Sequence, residues 1–260
     1  MSLHRIVSAL IMKRTICYPA SLALAFLLPG AGNTARSTQA AAGSAGILPA
    51  VLTLQTTTLR SPASLEQATL DEINLARTNP AEYVKFLEDF KKNYRGRELH
   101  FADGSVLVTN EGIAVLDEAI AFMRGLKPAA SLTWNNGMTR GAKDHLNDLV
   151  KTGGFGHKGS DGSLTGDRLD RYGRWLDALG EDIVYQSRTA REDVISLIID
   201  DGTSTRGHRK NIFNPQFRVV GVARSEPLKR GTLCVITFAG GYQDKTTTNP
   251  TTAKPTSTKF

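Results

Sequence analysis

Two apolar runs near the C-terminal end constrain this chain more than any other feature. Phe217-Arg218-Val219-Val220-Gly221-Val222-Ala223 and Leu233-Cys234-Val235-Ile236-Thr237-Phe238 read as strands, and Arg224 to Gly231 joins them as a polar hairpin loop. Cys234 sits inside the second run, where a cysteine behaves as a small buried hydrophobe. A hairpin this apolar calls for helices that each offer one buried face.

Such helices precede it. Ser64 followed by Gln67 is a capping-box pattern, and Leu65, Ala68, Ile73 and Ala76 approximate a helical stripe behind it. Asn79-Pro80 breaks that helix and starts another, with Asn79 as N-cap and Pro80 at its first position. Tyr83, Phe86, Leu87 and Phe90 then make one buried face. Lys91 to Thr109 is polar and glycine-punctuated, a long surface loop or a short hairpin. Asn110 is placed to cap a helix over 111–124 that carries Ile113, Leu116, Ile120 and Met123. Ser131-Leu132-Thr133-Trp134 leads into a helix over 138–150, on which Trp134, Met138, Ala142, His145 and Leu149 share a face. On that apolar stripe His145 reads as a hydrogen-bonded core histidine. Residues 167–179 read as helical, stopped by Gly180 as the glycine just past the helix end. Ile183-Val184-Tyr185 is strand-like. Ala190, Val194, Leu197 and Ile198 mark a last helix, which closes on Asp200-Asp201-Gly202. Carboxylates at a helix C-terminus oppose its macrodipole by about 0.3–1 kcal/mol each. Arg206, Arg209, a protonated His208 or a bound cation would offset that.

The two ends read differently. Lys13-Arg14, the apolar stretch from Ile16 to Leu28 and the small residues after it form a signal-peptide pattern, too short to span a membrane. Met12 makes a more typical start for it than Met1. Residues 1–45 are read as the signal and small-residue segment, 46–62 as a linker, 63–243 as the folded domain, and 244–260 as a disordered Thr/Pro/Lys tail. The formal charge of +7 follows this division, with +4 in residues 1–45 and +2 in residues 244–260. The domain is nearly neutral, so nucleic acid is not an expected partner. Cys17 falls in the signal segment, which leaves Cys234 alone and excludes an internal disulfide or a cysteine-based zinc knuckle in the exported chain. Export to a secreted or periplasmic location is the expectation.

Within the domain three ionisable residues stand beside glycines: Gly156-His157, Gly180-Glu181 and Gly207-His208. Two imidazoles and a carboxylate suffice for three jobs. They can bind Zn²⁺ with an open position, exchange protons as a general acid/base pair, or form a satisfied structural network. The spacing is long-range and does not choose among them. Nucleophilic hydrolysis by other means is disfavoured, since there is no Gly-x-Ser-x-Gly elbow and no Gly-rich phosphate loop ending in Lys-Ser/Thr.

In chain order, Ile73-Asn74-Leu75-Ala76-Arg77-Thr78-Asn79-Pro80, Leu132-Thr133-Trp134, Ala142-Lys143-Asp144-His145, Phe155-Gly156-His157, Gly180-Glu181-Asp182-Ile183, Gly207-His208-Arg209-Lys210-Asn211-Ile212 and Phe217 to Val222 resemble the bacterial branch of the CAP superfamily. That superfamily comprises the SCP-like extracellular domains related to cysteine-rich secretory proteins, antigen 5 and plant pathogenesis-related 1 proteins. The resemblance covers about 65–242. It implies an α+β fold, an α-β-α sandwich with a small antiparallel sheet between helices. It also implies a cleft of two histidines and two acids that in some members holds a divalent cation such as Zn²⁺. His157, His208 and Glu181 match that set, and Asp200 stands at the second acid's place, one carbon shorter than the usual Glu. Asp182 replaces the motif's Asn. His145, Asp201 and Arg209 are further cleft candidates. The implied role is binding of a divalent cation, or of an extracellular lipid or sterol, cell-wall or protein partner. The alternatives are a secreted metal-dependent hydrolase with Glu181 as general base, and an extracellular scaffold without an active cleft.

Overall fold

The structure, a computed structural model, describes residues 64–226 and 232–245. The signal and linker segments, the middle of the hairpin loop and the tail after Lys245 lie outside the described residues. The elements run α1 (Leu65–Thr78), α2 (Pro80–Lys91), β1 (Tyr94–Arg95), β2 (Glu98–His100), β3 (Val106–Val108), α3 (Ile113–Arg124), β4 (Thr133–Trp134), α4 (Asn136–Thr152), α5 (Thr165–Asp170), β5 (Gly173–Ser187), α6 (Ala190–Ile199), α7 (Gly207–Phe213), β6 (Val219–Arg224) and β7 (Thr232–Asp244).

The first helices start where their side chains satisfy the free amides. Ser64 Oγ accepts from the Gln67 amide at 3.2 Å, and Asn79 Oδ1 accepts from the Glu82 amide at 3.2 Å, with Pro80 where no amide is needed. Residues 91–109 take the hairpin form, a small antiparallel sheet of order β1-β2-β3. Asn110 does not cap α3. That helix begins after Gly112 (φ 71°), and the amides of Asn110 and Glu111 are both held by the Asp201 carboxylate at 2.7 Å.

The main sheet has the order β4-β6-β7-β5. The hairpin β6–β7 is antiparallel and β5 lies antiparallel against β7, but β4 pairs parallel with β6. The sheet is therefore mixed, not purely antiparallel. The chain between β4 and β6 holds four helices and β5, ample length for a parallel crossover.

Strand alternation divides the sheet into two faces. Ile183, Ala223, Leu233 and Val235 pack on Ala142, Leu146 and Leu149 of α4. Val184, Val220, Val222, Ile236 and Phe238 point the other way, into the large core built with α1, α2, α3 and α6. Helices cover both faces, and the fold is an α-β-α sandwich. The contact at α4 is close: a Cβ on Gly221 would lie 2.3 Å from the Met138 carbonyl carbon and the Thr139 nitrogen.

One segment departs from its sequence pattern. The helix expected over 167–179 stops at Asp170, and from Gly173 the chain is strand. β5 pairs with β7 from Gly173↔Asp244 to Ser187↔Thr232. That long ladder outweighs the modest helix preference of Arg174 to Leu179. Gly180 thus lies within a strand and ends no helix.

Candidate functional site

β5 is an edge strand, and its central residues carry the site. The register with β7 is unbroken from Leu179 to Tyr185, so consecutive side chains leave on opposite faces. Glu181 points to the side of α4 and α5. Asp182 points to the side of α7. Gly180 allows Asn211 of α7 and Phe217 to approach the strand closely, since a Cβ there would meet Phe217 at 2.9 Å and Asn211 Oδ1 at 3.1 Å.

On the first side, Glu181 Oε1 accepts from His157 Nδ1 at 2.9 Å, and Arg168 Nη2 bonds both Glu181 oxygens at 3.1 and 2.9 Å. Arg168 is buried, as is Glu181. Its other contacts tie the loop before α5: Nη1 and Nη2 donate to the His157 carbonyl, both at 3.1 Å, and Nη1 donates to the Ser163 carbonyl at 2.9 Å. Burial pushes the Glu181 carboxyl up, but the His157 hydrogen bond and the Arg168 charge outweigh it, and the net shift is below the usual carboxylate value. With Nδ1 directed at a carboxylate, His157 keeps Nε2 as its other nitrogen, and its side chain is 51% exposed.

His145 stands behind this pair, fully buried, with Nε2 bonded to the Gly156 carbonyl at 2.8 Å and 3.9 Å from Glu181 Oε1. A carbonyl only accepts, so Nε2 carries the proton. Burial lowers its pKa and holds the ring neutral. It is the hydrogen-bonded core histidine that its apolar stripe indicates.

On the second side, His208 Nδ1 meets Asp200 Oδ1 at 2.7 Å, and Asp200 Oδ2 accepts from the His208 amide at 2.9 Å. Asp200 ends α6 in the left-handed region (φ 56°, ψ 46°) and from there reaches the first amides of α7. Its charge therefore serves a helix N-terminus, where it is favourable. The α6 end is compensated separately: Arg209 donates to the carbonyls of Ile198 and Ile199, and its Nη1 meets Glu118 at 2.7 Å. Asp201 serves the start of α3. Arg209 and Asp201 thus have structural partners outside the cleft.

Asp182 lies next to this second pair. It is fully buried, takes one bond at Oδ1 from Asn211 Nδ2 at 2.7 Å, and Oδ2 has no partner among the described residues. Burial, reinforced by Asp200 and Glu181, pushes its pKa up to about 8 against the opposing pull of His208. His208 in turn is raised: burial lowers it, but the Asp200 bond and the Asp182 and Asp200 charges prevail.

The four residues expected as one ligand set therefore form two pairs, His157–Glu181 and His208–Asp200. Among the described residues no group of three or more His, Cys, Asp or Glu side chains stands close enough to hold a metal ion. Arg168 and the buried state of Asp182 were not legible in the sequence. Arg168 falls in a stretch with helical patterning and no motif, whereas Asp182 was visible only as an acid in place of an Asn.

A cavity of about 550 Å³ opens between α5 and β5 beside the first pair. Leu164, Trp175 and Leu179 form an apolar wall, and His157 and Glu181 stand at its polar end. Leu164 is 56% exposed, and Phe155, 60% exposed, packs its ring on Tyr185 at 4.9 Å.

Helices on both faces of a four-stranded sheet make an α-β-α sandwich, with the His157–Glu181 pair on one side of its edge strand and the His208–Asp200 pair on the other. Residues 117–238 match the family described as CAP: Cysteine-rich secretory protein family. Among solved structures, an extracellular protein containing a SCP domain from Bacillus anthracis is 24% identical, with 49% of this chain and 39% of that one covered and a TM-score of 0.36. An outer surface protein from Borrelia burgdorferi is 14% identical over 58% of this chain and 100% of its own, with a TM-score of 0.38. A cysteine-rich secretory protein from Staphylococcus aureus is 15% identical over 50% of this chain and 38% of its own, with a TM-score of 0.33. The match thus spans well under half of the Bacillus and Staphylococcus chains. No curated protein matches the chain.

Proposed function

We propose that this chain is an exported CAP domain that binds an extracellular ligand in the cavity between α5 and β5, with His157 and Glu181 as the polar contact. The observation that supports it most is the make-up of that cavity. An apolar wall of Leu164, Trp175 and Leu179 ends at a half-exposed imidazole braced by a buried carboxylate. Sites for small ligands combine apolar area with a few fixed polar groups in this way. The signal-peptide pattern at residues 12–42 supports export. The ligand class is a lipid, a cell-wall fragment or an extended protein segment.

A general-base role for Glu181 has less support. Arg168 and His157 engage both its oxygens and lower its pKa, which makes it a weak base near neutral pH.

The chain has two tryptophans, Trp134 and Trp175. In a Trp134→Phe background, Trp175 emission reports on the cavity wall. The probes are palmitate, a muramyl peptide and an apolar tripeptide. A saturable emission change that His157→Ala abolishes supports the reading. Emission unmoved by all three, or moved equally after His157→Ala, overturns it.

A further inference from the structure

The donor set around Glu181 does not fit a divalent ion, and one side chain is the reason. Both Glu181 oxygens are engaged by Arg168 Nη2, and Oε1 also accepts from His157. We propose that Arg168 is the built-in cation of this cleft, supplying to Glu181 and to the His157–Ser163 loop the positive charge that a bound divalent ion would otherwise supply.

Three observations carry the assignment. The first is charge. A guanidinium carries a positive charge, and Arg168 places it directly on the Glu181 carboxylate. A divalent ion on the same carboxylate would sit against a fixed positive charge with nothing left to neutralise it. The second is burial. Arg168 and Glu181 each have side chains only 2% exposed, so the guanidinium cannot swing out to water and leave the carboxylate open. The third is the set of partners. Besides the carboxylate, Arg168 binds the carbonyls of His157 and Ser163 and the Thr165 hydroxyl. Carboxylate, carbonyl and hydroxyl oxygens are the ligands of a hard cation. Here they converge on a side chain of the same chain, which draws the loop that bears His157 onto β5. The cation that holds this side of the cleft together is thus a side chain of the chain itself. This goes beyond the ligand-binding reading and stands apart from it, because metal affinity is measured with no ligand present.

The test is a calorimetric titration of the exported chain with Zn²⁺ alone at about pH 7, after chelator treatment. It uses wild type, Glu181→Gln, Arg168→Met and the Arg168→Met/Glu181→Gln double variant, with circular dichroism as the check on folding. Wild type and Glu181→Gln should give the same heats. Arg168→Met should gain one saturable site, tighter than any wild-type binding by about tenfold or more, which the double variant loses. A wild-type site that Glu181→Gln removes overturns the assignment. So does an Arg168→Met protein that folds and gains no site. If Arg168→Met does not fold, the wild-type His157 ring resonances decide. Zn²⁺ should leave them unchanged or shift them equally in Glu181→Gln, and a shift that needs Glu181 overturns the proposal.

Discussion

Glu181 and Asp182 are neighbours on β5, yet their carboxyl groups lie on opposite faces of the sheet in opposite states. Glu181 shares its buried side with Arg168 and His157, and its pKa is lowered. Asp182 has no cation bonded to it, only Asn211, and burial raises its pKa to about 8. One strand step thus separates a charged carboxylate from one that holds its proton at neutral pH. The His157 hydrogen bond and then the Arg168 charge, which Asp182 lacks, make the difference.

The pH dependence of stability follows from these shifts. Between its ordinary value of 3.8 and about 8, folded Asp182 keeps a proton that the unfolded chain has released, so stability falls as pH rises through that window. His208 acts in the same sense. Its folded pKa is raised, so its contribution is full below 6.5 and is lost as pH rises through the folded value. Glu181 acts oppositely: its contribution is present above 4.5 and is lost as pH falls through its lowered folded value. Stability should therefore peak on the acid side of neutrality. Asp182→Asn keeps an acceptor for Asn211 and has no charge to bury. It should be more stable than wild type at about pH 8 by on the order of 1–3 kcal/mol and lose less between about pH 5 and about pH 8. Thermal melts of the two proteins across that range check it. Equal alkaline slopes would refute the assignment of the proton to Asp182.

Removing the cation from Glu181 should reveal the cost of an unpaired buried charge. Arg168→Met should destabilise by about 3–5 kcal/mol, because Glu181 remains buried and ionised. Arg168→Met/Glu181→Gln should recover part of that loss, so that the double variant is more stable than Arg168→Met alone. A denaturant double-mutant cycle gives the coupling, expected at about 0.5–3 kcal/mol. Additive losses would mean that the two side chains stabilise the fold independently.

The division between legible and hidden features has a physical basis. The caps at Ser64 and Asn79, the stripe holding His145 and the β6–β7 hairpin were legible because each depends on residues close in sequence. β5 was legible only at Ile183-Val184-Tyr185; its first part was not, because the strand character there comes from pairing with β7, tens of residues away, and locally Asp167 to Leu179 carries a helical pattern. Motif order put His157, Glu181, His208 and Asp200 into one expected set, and the fold divides them into His157 with Glu181 and His208 with Asp200. It could not show that consecutive strand positions send Glu181 and Asp182 to different faces. Nor could it show that a motif-free Arg168 holds both oxygens of Glu181.

Asp200 links the end of α6 to the start of α7 and to the His208 ring. Asp200→Asn keeps an acceptor for the α7 amides and removes the negative charge. The fold should persist at a cost of about 0.5–2 kcal/mol. The His208 pKa should fall below its wild-type value, since the Asp200 bond and charge help to raise it. NMR titration of the ring protons measures both proteins. An unchanged His208 pKa would transfer the effect to Asp182.

Two glycines separate steric need from chain flexibility. At Gly221 the sheet and α4 touch: a Cβ would stand 2.3 Å from backbone atoms of Met138 and Thr139, which cannot turn aside as a side-chain tip can. Gly221→Ala must push α4 off β6 and should cost about 1–3 kcal/mol or more. At Gly207, in the first turn of α7, the nearest atom to a new Cβ is Thr205 Oγ1 at 3.7 Å, an ordinary contact. Gly207→Ala should be neutral or stabilise by about 0.4–1 kcal/mol, because it restricts the unfolded chain without strain in the folded one. Gly207 also precedes His208, so its variant should leave the His208 titration as in wild type, whereas Gly221→Ala loosens α4 and the His145–Gly156 contact that α4 carries. Chemical denaturation of both variants beside wild type checks the pair. Equal losses at the two positions would show that the close approach of α4 to the sheet is not what requires a glycine at Gly221.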